Sequence, residues 1–250
     1  MQVAERALLS RREWLAREPF TLCLSAGFFG FFAHVGLLEA LEAAGLRPRR
    51  VVGVSAGALA GGLWAAGLPA GDLREELARL RRSDFWDPAF PWRGGLVRGD
   101  KFEAVLTRLL GPTGVRHIED CPLPFTTLGA DLLGRGHVLD RGPLSSAIRA
   151  SCAVPLLFAP VRHAGRRLLD GGLADGPGLT LLAPGERALL HHLQKQAPGP
   201  TSTRLVLAPV GLPQPGPFAL EEGLRAREAA RAGAERWLCA PAAEAVQSPA

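Results

Sequence analysis

A sheet of mostly parallel strands covered by helices on both faces is the architecture this sequence predicts. Three observations carry that prediction. Short apolar runs alternate along the chain with segments of helical character, the pattern of strands returning to one sheet through crossover helices. One of those runs, Val51–Val54, passes directly into Gly53-Val54-Ser55-Ala56-Gly57, and a small-residue, helix-compatible segment follows at Ala58–Ala66. Finally, 250 residues at 47% apolar composition suffice for one large α/β domain with a buried core.

Taken in order, Val3–Arg17 predicts a packing or capping helix, with a membrane anchor as the alternative, and has Ala4, Ala7, Leu8 and Leu15 roughly on one side; residues 1–19 read as an N-terminal extension. Phe20–Leu24 is a short apolar strand. His34–Ala44 is amphipathic and stops at Gly45, a suitable helix C-cap. Val51–Val54 is the second strand, and the helix after it runs to Gly67. Leu73–Arg82 reads as a polar helix. Phe85–Gly95, rich in Pro, Trp and Phe, reads as a loop or lid. Asp100–Leu110 is a further helix with Asp100 as its cap.

Phe125–Ala130 and His137–Asp140 read as strands joined by a turn at Gly134 and Gly136. Leu144–Ala150 is a short helix. Pro160–His163 and Arg167–Asp170 suggest a hairpin around Gly165. Gly185–Lys195 reads as helical, Arg204–Val210 as a buried strand and Leu220–Cys239 as a long Arg- and Ala-rich helix. Pro241–Ala250 reads as a disordered tail, which leaves residues 20–240 as the main domain.

Composition excludes several classes. The formal charge is +5, and the basic excess is almost entirely Arg, since the only lysines are Lys101 and Lys195. The plain reading is a solvated surface; affinity for anionic membrane surfaces, as a transient contact, is the alternative. No basic run interleaves with aromatics, so nucleic acid is not an expected partner. Cys23, Cys121, Cys152 and Cys239 are scattered without a Cys-x-x-Cys pair, which argues against a zinc site and a disulfide framework. Reduced thiols in the cytoplasm are the default expectation, with peripheral membrane association as the variant. Met1–Phe20 lacks the long apolar region of a signal peptide, and no apolar run approaches membrane-spanning length.

Gly-x-Ser-x-Gly between a strand and a helix is the layout of a nucleophile elbow. Gly53 and Gly57 remove Cβ atoms where the backbone folds tightly and the helix crosses the strand, and the helix N-terminus lies beneath Ser55. A tight turn in a non-catalytic α/β domain is the alternative. A serine nucleophile needs a site for negative charge. Leu24-Ser25-Ala26-Gly27-Phe28-Phe29-Gly30 follows a strand and precedes a helix, so its amides can converge; a simple βα turn is the plainer reading. It also needs a base. Asp170, in Leu168-Leu169-Asp170-Gly171-Gly172, lies at a strand end where a carboxylate faces the ligand side of an open sheet; a turn Asp is the plainer reading there.

Four blocks, in order, resemble the patatin-like phospholipase family, in particular its bacterial-type lipid acyl hydrolases. Leu24–Gly36 (LSAGFFGFFAHVG) resembles the family's oxyanion loop and following helix, and Gly53–Gly57 (GVSAG) its elbow. Ala150–Pro160 (ASCAVPLLFAP) resembles its Ala-Ser-x-Ala-x-Pro block, and Asp170–Gly172 (DGG) its catalytic-Asp motif. The resemblance covers about residues 20–180. It implies a three-layer α/β/α patatin-like fold and a catalytic dyad of Ser55 and Asp170 without His. Asp170 would take the Ser55 proton directly, and the amides of Ala26, Gly27 and Phe28, helped by Ala56, would form the oxyanion hole. Gly30, Gly53, Gly57, Gly171 and Gly172 become the motif glycines. The substrate class implied is a lipid or other acyl ester, with no cofactor and no metal.

The loop departs from the family's run of consecutive glycines, because Ala26 and Phe28 flank Gly27. Gly27 is therefore the expected local holder of a positive φ or of a close backbone approach. Phe28, Phe29, Phe31 and Phe32 are expected either to line an acyl pocket or to pack in the core. His191 and His192 follow Asp170 and offer a triad alternative, although their place in the expected helix gives them an ordinary surface role; His34 is read as structural. The alternatives to a lipid acyl hydrolase are a soluble thioesterase or small-ester hydrolase with the same machinery, and a catalytically weak binding or regulatory protein.

Overall fold

A computed structural model of the chain describes residues 9–84, 86–88, 95–216 and 220–242. Its central sheet has eight strands. Five run parallel, in the order β10 (Arg204–Leu207), β9 (Ala188–His191), β1 (Thr21–Leu24), β2 (Arg50–Gly53) and β4 (Phe125–Ala130). Beyond β4 the sheet turns antiparallel through β8 (Arg166–Asp170) and β7 (Val161–His163), and β5 (Gly136–Leu139) also pairs with β4. A separate two-stranded parallel pair joins β3 (Gly95–Val97) to β6 (Leu156–Phe158).

The parallel strands are continuous apolar runs because both of their faces are buried. All four residues of β1 and of β9 are buried. Successive side chains point to opposite faces: Leu22, Leu24 and Val51 join the larger core, while Cys23, Val52 and Leu190 join a smaller one. The larger core lies under α1 (Arg11–Arg17), α2 (Phe31–Ala43), α3 (Ala56–Ala65), α4 (Ala70–Arg79), α5 (Asp100–Leu110), α6 (Leu144–Ser151) and α8 (Leu220–Cys239). The smaller one is closed by the 3-10 turn Leu179–Leu181 and Leu182, after the short helix α7 (Gly172–Asp175). The result is a three-layer α/β/α arrangement, with one thick and one thin outer layer.

Several expectations need correction. Gly185–Lys195 is not helical: Ala188–His191 is a central strand paired on both sides, by β1 and β10. A short apolar run carries no period that separates a buried strand from a buried helix, and pairing decides it. Helix α2 begins at Phe31, three residues before the expected His34. Helix α4 spans Ala70–Arg79 rather than Leu73–Arg82, and a separate 3-10 turn covers Arg82–Asp84. Within the expected loop Phe85–Gly95, residues 85 and 89–94 lie outside the described residues, and Gly95 opens strand β3. Of the expected helix Val3–Arg17, residues 1–8 lie outside the described residues. Arg11–Arg17 is helical and starts at a Ser10–Glu13 capping box. A disordered tail at Pro241–Ala250 fails for its first two residues. Pro241 bridges Ser10, and Ala242 is buried with its amide on the Leu9 carbonyl; residues 243–250 lie outside the described residues. Among the described residues, no helix is long and apolar enough to cross a membrane.

Helix α2 is buried along nearly its whole length, between the sheet and α8. A buried pair, Glu39 with Arg227 at 2.5 Å, ties the two helices. Their backbones meet at Gly36, where a Cβ would stand 2.2 Å from the Arg227 carbonyl oxygen. Gly36→Ala is therefore expected to push the helices apart and lower the unfolding free energy by about 1–3 kcal/mol or more. Urea denaturation reads this directly, and unchanged stability would contradict the packing of α2 on α8.

Candidate active site

Strand β2 ends at Gly53, and the chain turns at Ser55 into α3. The turn is tight enough that only glycine fits beside it. A Cβ on Gly53 would lie 2.3 Å from the Gly57 oxygen, and one on Gly57 would lie 2.1 Å from the Leu24 oxygen. Ser55 itself adopts φ 53°, ψ −116°, outside the regions comfortable for an L-residue. Its neighbours hold it there. The Ser55 amide donates to Ser151 Oγ at 2.9 Å, and Ser151 Oγ lies 2.9 Å from Thr127 Oγ1. The Ser55 carbonyl accepts from the Leu59 amide and from Cys152 Sγ at 3.1 Å.

Asp170 reaches the same point by a route the sequence did not indicate. Its strand runs antiparallel to β4, so its carboxyl end is not the ligand-facing end of the parallel sheet. β8 instead enters the sheet from that end and overlaps β4 by only two residues, Asp170 opposite Gly129 and Leu169 opposite Ala130. The chain then leaves at Gly171, where a Cβ would sit 2.1 Å from the Leu128 oxygen. Asp170 is anchored through its own amide to the Ala153 carbonyl and through the Gly171 amide to the Ser151 carbonyl. The structure brings the two side chains together: Ser55 Oγ donates to Asp170 Oδ2 at 2.6 Å. The other carboxylate oxygen accepts from the Gly172 amide at 2.7 Å. Asp170 is only 6% exposed. Burial pushes its carboxyl up to about 6, against the two hydrogen bonds, which pull it down.

The loop after β1 differs from expectation in two respects. The Ala26 amide, expected to face an oxyanion, donates to the Gly176 carbonyl at 2.7 Å and so belongs to the scaffold. Positive φ falls on Phe29, at 53°, and not on Gly27. Gly27 answers to space instead, since a Cβ there would meet Leu193 Cβ at 3.0 Å; at Gly30 it would meet Leu193 Cδ1 at 2.7 Å. The amides of Gly27, Phe28 and Ala56 have no backbone acceptor among the described residues, and that of Ala56 heads α3.

No imidazole bridges Ser55 and Asp170. His191 and His192 are buried in and just after β9, and neither lines the cleft at Ser55. His34 Nε2 donates to the Ser25 carbonyl at 2.8 Å, which leaves its Nδ1 to accept from His191 Nδ1 at 2.9 Å. Burial pushes His34 down to about 4 and His191 well below its ordinary value, so both are neutral near pH 7. The pair braces Ser25, whose Oγ also accepts the Leu193 amide. It therefore shapes the loop without reaching Ser55 or Asp170.

Ser55 and Asp170 open onto a cleft of about 660 Å³, within the ordinary range of small-ligand sites. Its walls are largely apolar, with Phe29, Phe31, Leu59, Phe102, Val154 and Leu157 among them. The phenylalanines divide: Phe28, Phe29 and Phe31 line the cleft, whereas Phe32 is fully buried, its ring against Gly223. The sequence reading missed Ser151 as the support of the elbow, although it lies in the Ala150–Pro160 block. It also missed the Leu193–Lys195 side of the cleft, which follows strand β9 where a helix was expected.

Residues 22–183 match the patatin-like phospholipase family, and the chain belongs to that family. It is 35% identical over 162 residues to an uncharacterized NTE family protein of Mycobacterium tuberculosis, a span of 62% of this chain and 42% of that protein. It is 28% identical over 175 residues to the neuropathy target esterase of Drosophila persimilis, covering 66% of this chain and 12% of that one. The chain thus spans less than half the length of these two curated relatives. Among solved structures it resembles VipD from Legionella pneumophila, with a TM-score of 0.59 at 13% identity over 88% of this chain and 67% of that one. At that identity the likeness concerns the fold.

The raised carboxyl of Asp170 has a consequence for stability. Its folded value, about 6, exceeds the ordinary 3.8. Above pH 6 the residue is ionised in both states, and burying its charge opposes folding. Between pH 6 and about 4 the folded protein takes up the proton first, so stability rises as pH falls. Asp170→Asn removes the charge. It is expected to be more stable than wild type above pH 6, by up to about 3 kcal/mol, with the margin closing toward pH 4. Thermal or urea unfolding across that range tests it, and a margin independent of pH would contradict the assigned burial cost.

Proposed function

We propose that this protein hydrolyses acyl esters of lipids through an acyl-enzyme on Ser55, with Asp170 as general base and then general acid. The observation that carries this reading is the 2.6 Å hydrogen bond between Ser55 Oγ and Asp170 Oδ2 at the floor of an apolar cleft. Membership of the patatin-like phospholipase family supports the substrate class.

In the first half-reaction the Ser55 hydroxyl proton moves to Asp170 Oδ2 as Oγ bonds to the ester carbonyl carbon. The carbonyl oxygen becomes an oxyanion, for which the free amides of Gly27, Phe28 and Ala56 are the donors within reach of the cleft. When the tetrahedral species collapses, the bond to the leaving oxygen breaks and Asp170 returns the proton to that oxygen as the alcohol departs. In the second half-reaction water attacks the acyl-Ser55 ester, Asp170 accepts the water's proton, and the fatty acid leaves as the proton returns to Ser55. An ordinary Asp, with pKa about 3.9, is a weak base for this task near pH 7. Burial raises the basicity of Asp170, and the Gly172 amide holds one oxygen so that the other faces Ser55. The apolar walls suit an acyl chain. Phe29 carries a strained φ where the loop bends around the cleft.

Ser55→Ala and Asp170→Asn are each expected to lower kcat on a nitrophenyl ester by about 10³-fold or more with the fold retained. The double variant should be barely worse than either, because residues acting as one unit lose activity non-additively. For wild type, kcat/KM should fall on the acid side with a midpoint near pH 6, as Asp170 takes up its proton. Full activity in Asp170→Asn, or an acid limb near pH 4, would defeat the dyad.

A further inference from the structure

The carboxyl ends of β1, β2, β4 and β9 all lie at one end of the sheet, because these strands are parallel and in register. Ser55 follows β2 at that end. So do several of the large apolar side chains that the chain leaves in water. Phe28, after β1, is 61% exposed, and Leu173, after the Asp170 turn, is 51% exposed. The turn between β4 and β5 carries two adjacent leucines, Leu132 at 62% and Leu133 at 76% exposure.

That turn is built to hold the leucines out. Asp131 Oδ1 accepts the amides of Leu133 and Arg135 at 2.9 and 3.0 Å, and Gly134 supplies a φ of 77°. Ala130 is registered opposite Leu169, and Gly129 opposite Asp170. Strand β4 ends at Ala130, one residue past the level of Asp170, and Leu132 and Leu133 lie in the turn beyond it. Charge accompanies the apolar surface. Arg135 stands in the same turn, and Lys195, beyond β9, lines the cleft. The carboxylates nearby are held by hydrogen bonds within the fold: Asp131 also takes His137, and Asp175 takes the amide and hydroxyl of Thr180. Exposed leucines on a rigid turn, with cationic side chains at the same end of the sheet, match a phospholipid interface, where apolar insertion and attraction to anionic headgroups add.

We infer that this end of the sheet docks on an anionic phospholipid bilayer. The Leu132–Leu133 turn enters the acyl boundary, Arg135 and Lys195 meet headgroup phosphates, and the cleft at Ser55 opens toward the lipid. The inference rests on the proposed lipid hydrolase reading and adds how substrate is presented.

Co-sedimentation of the full-length Ser55→Ala chain with phosphatidylcholine vesicles, with and without phosphatidylglycerol, tests docking without hydrolysis. Binding is expected to favour the phosphatidylglycerol vesicles and to weaken with salt. Adding Leu132→Ser and Leu133→Ser should lower the partition coefficient by about tenfold or more, and Arg135→Gln should reduce the preference for anionic vesicles. With Ser55 intact, the double leucine variant should keep the wild-type rate on a monomeric nitrophenyl ester while losing most of its rate on vesicle phospholipid. Absence of vesicle binding, or equal partitioning of the leucine variant, would overturn the docking face. So would a concentration-dependent dimer abolished by the leucine changes while vesicle binding is unaffected. Vesicle binding by a chain that is inactive on every ester would instead defeat the hydrolase reading and leave docking standing.

Discussion

The contact between Ser55 Oγ and Asp170 Oδ2 joins two short side chains from segments more than a hundred residues apart, with nothing between them to absorb an error in position. Every nearby backbone is therefore constrained. Helix α3 must cross β1 closely enough that Gly57 rests on the Leu24 oxygen, and Gly171 must rest on the Leu128 oxygen. A Cβ at either position would displace one partner by more than the contact tolerates. The strained backbone at Ser55, of a kind that costs roughly 1–3 kcal/mol, persists because the Ser151 hydroxyl and the Cys152 thiol hold its two sides.

Ser151 links the parts. Its hydroxyl receives the Ser55 amide, its carbonyl receives the Gly171 amide, and Thr127 on β4 lies against the same hydroxyl. Ser55 and Asp170 are thus both referenced to one residue at the end of α6. The chemistry proposed for Asp170 comes from burial, and the same burial opposes folding when the group is ionised. The molecule accepts that conflict at one position and surrounds it with two well-filled cores.

Much of the scaffold was legible locally. The apolar runs at β1, β2 and β4 and the spacing of Gly53, Ser55 and Gly57 carry their meaning in a few adjacent residues. What was not legible depends on distant pairing. Ala188–His191 is a strand because β1 and β10 flank it, and no residue inside the run states this. Gly95–Val97 and Leu156–Phe158 are three residues each, too short for any period, and exist through one another. Asp170 was located correctly beside the elbow for an incomplete reason, since the direction of β8 emerges only from its overlap with β4. At the oxyanion loop, counting glycines misjudged the backbone. Phe29 takes the left-handed φ, and the Ala26 amide is occupied by Gly176, a partner 150 residues away.

The central claim is that Ser55 is an activated nucleophile and that Asp170 alone activates it. Labelling with a fluorophosphonate probe, followed by intact mass and peptide mapping, measures this most directly. The account predicts a single adduct on Ser55 in wild type. Labelling of Asp170→Asn should be slower by about a hundredfold or more, since one activating base contributes about 10²–10⁴-fold, and the fold should be unchanged by circular dichroism. An adduct on another residue, or labelling of Asp170→Asn at the wild-type rate, would contradict it.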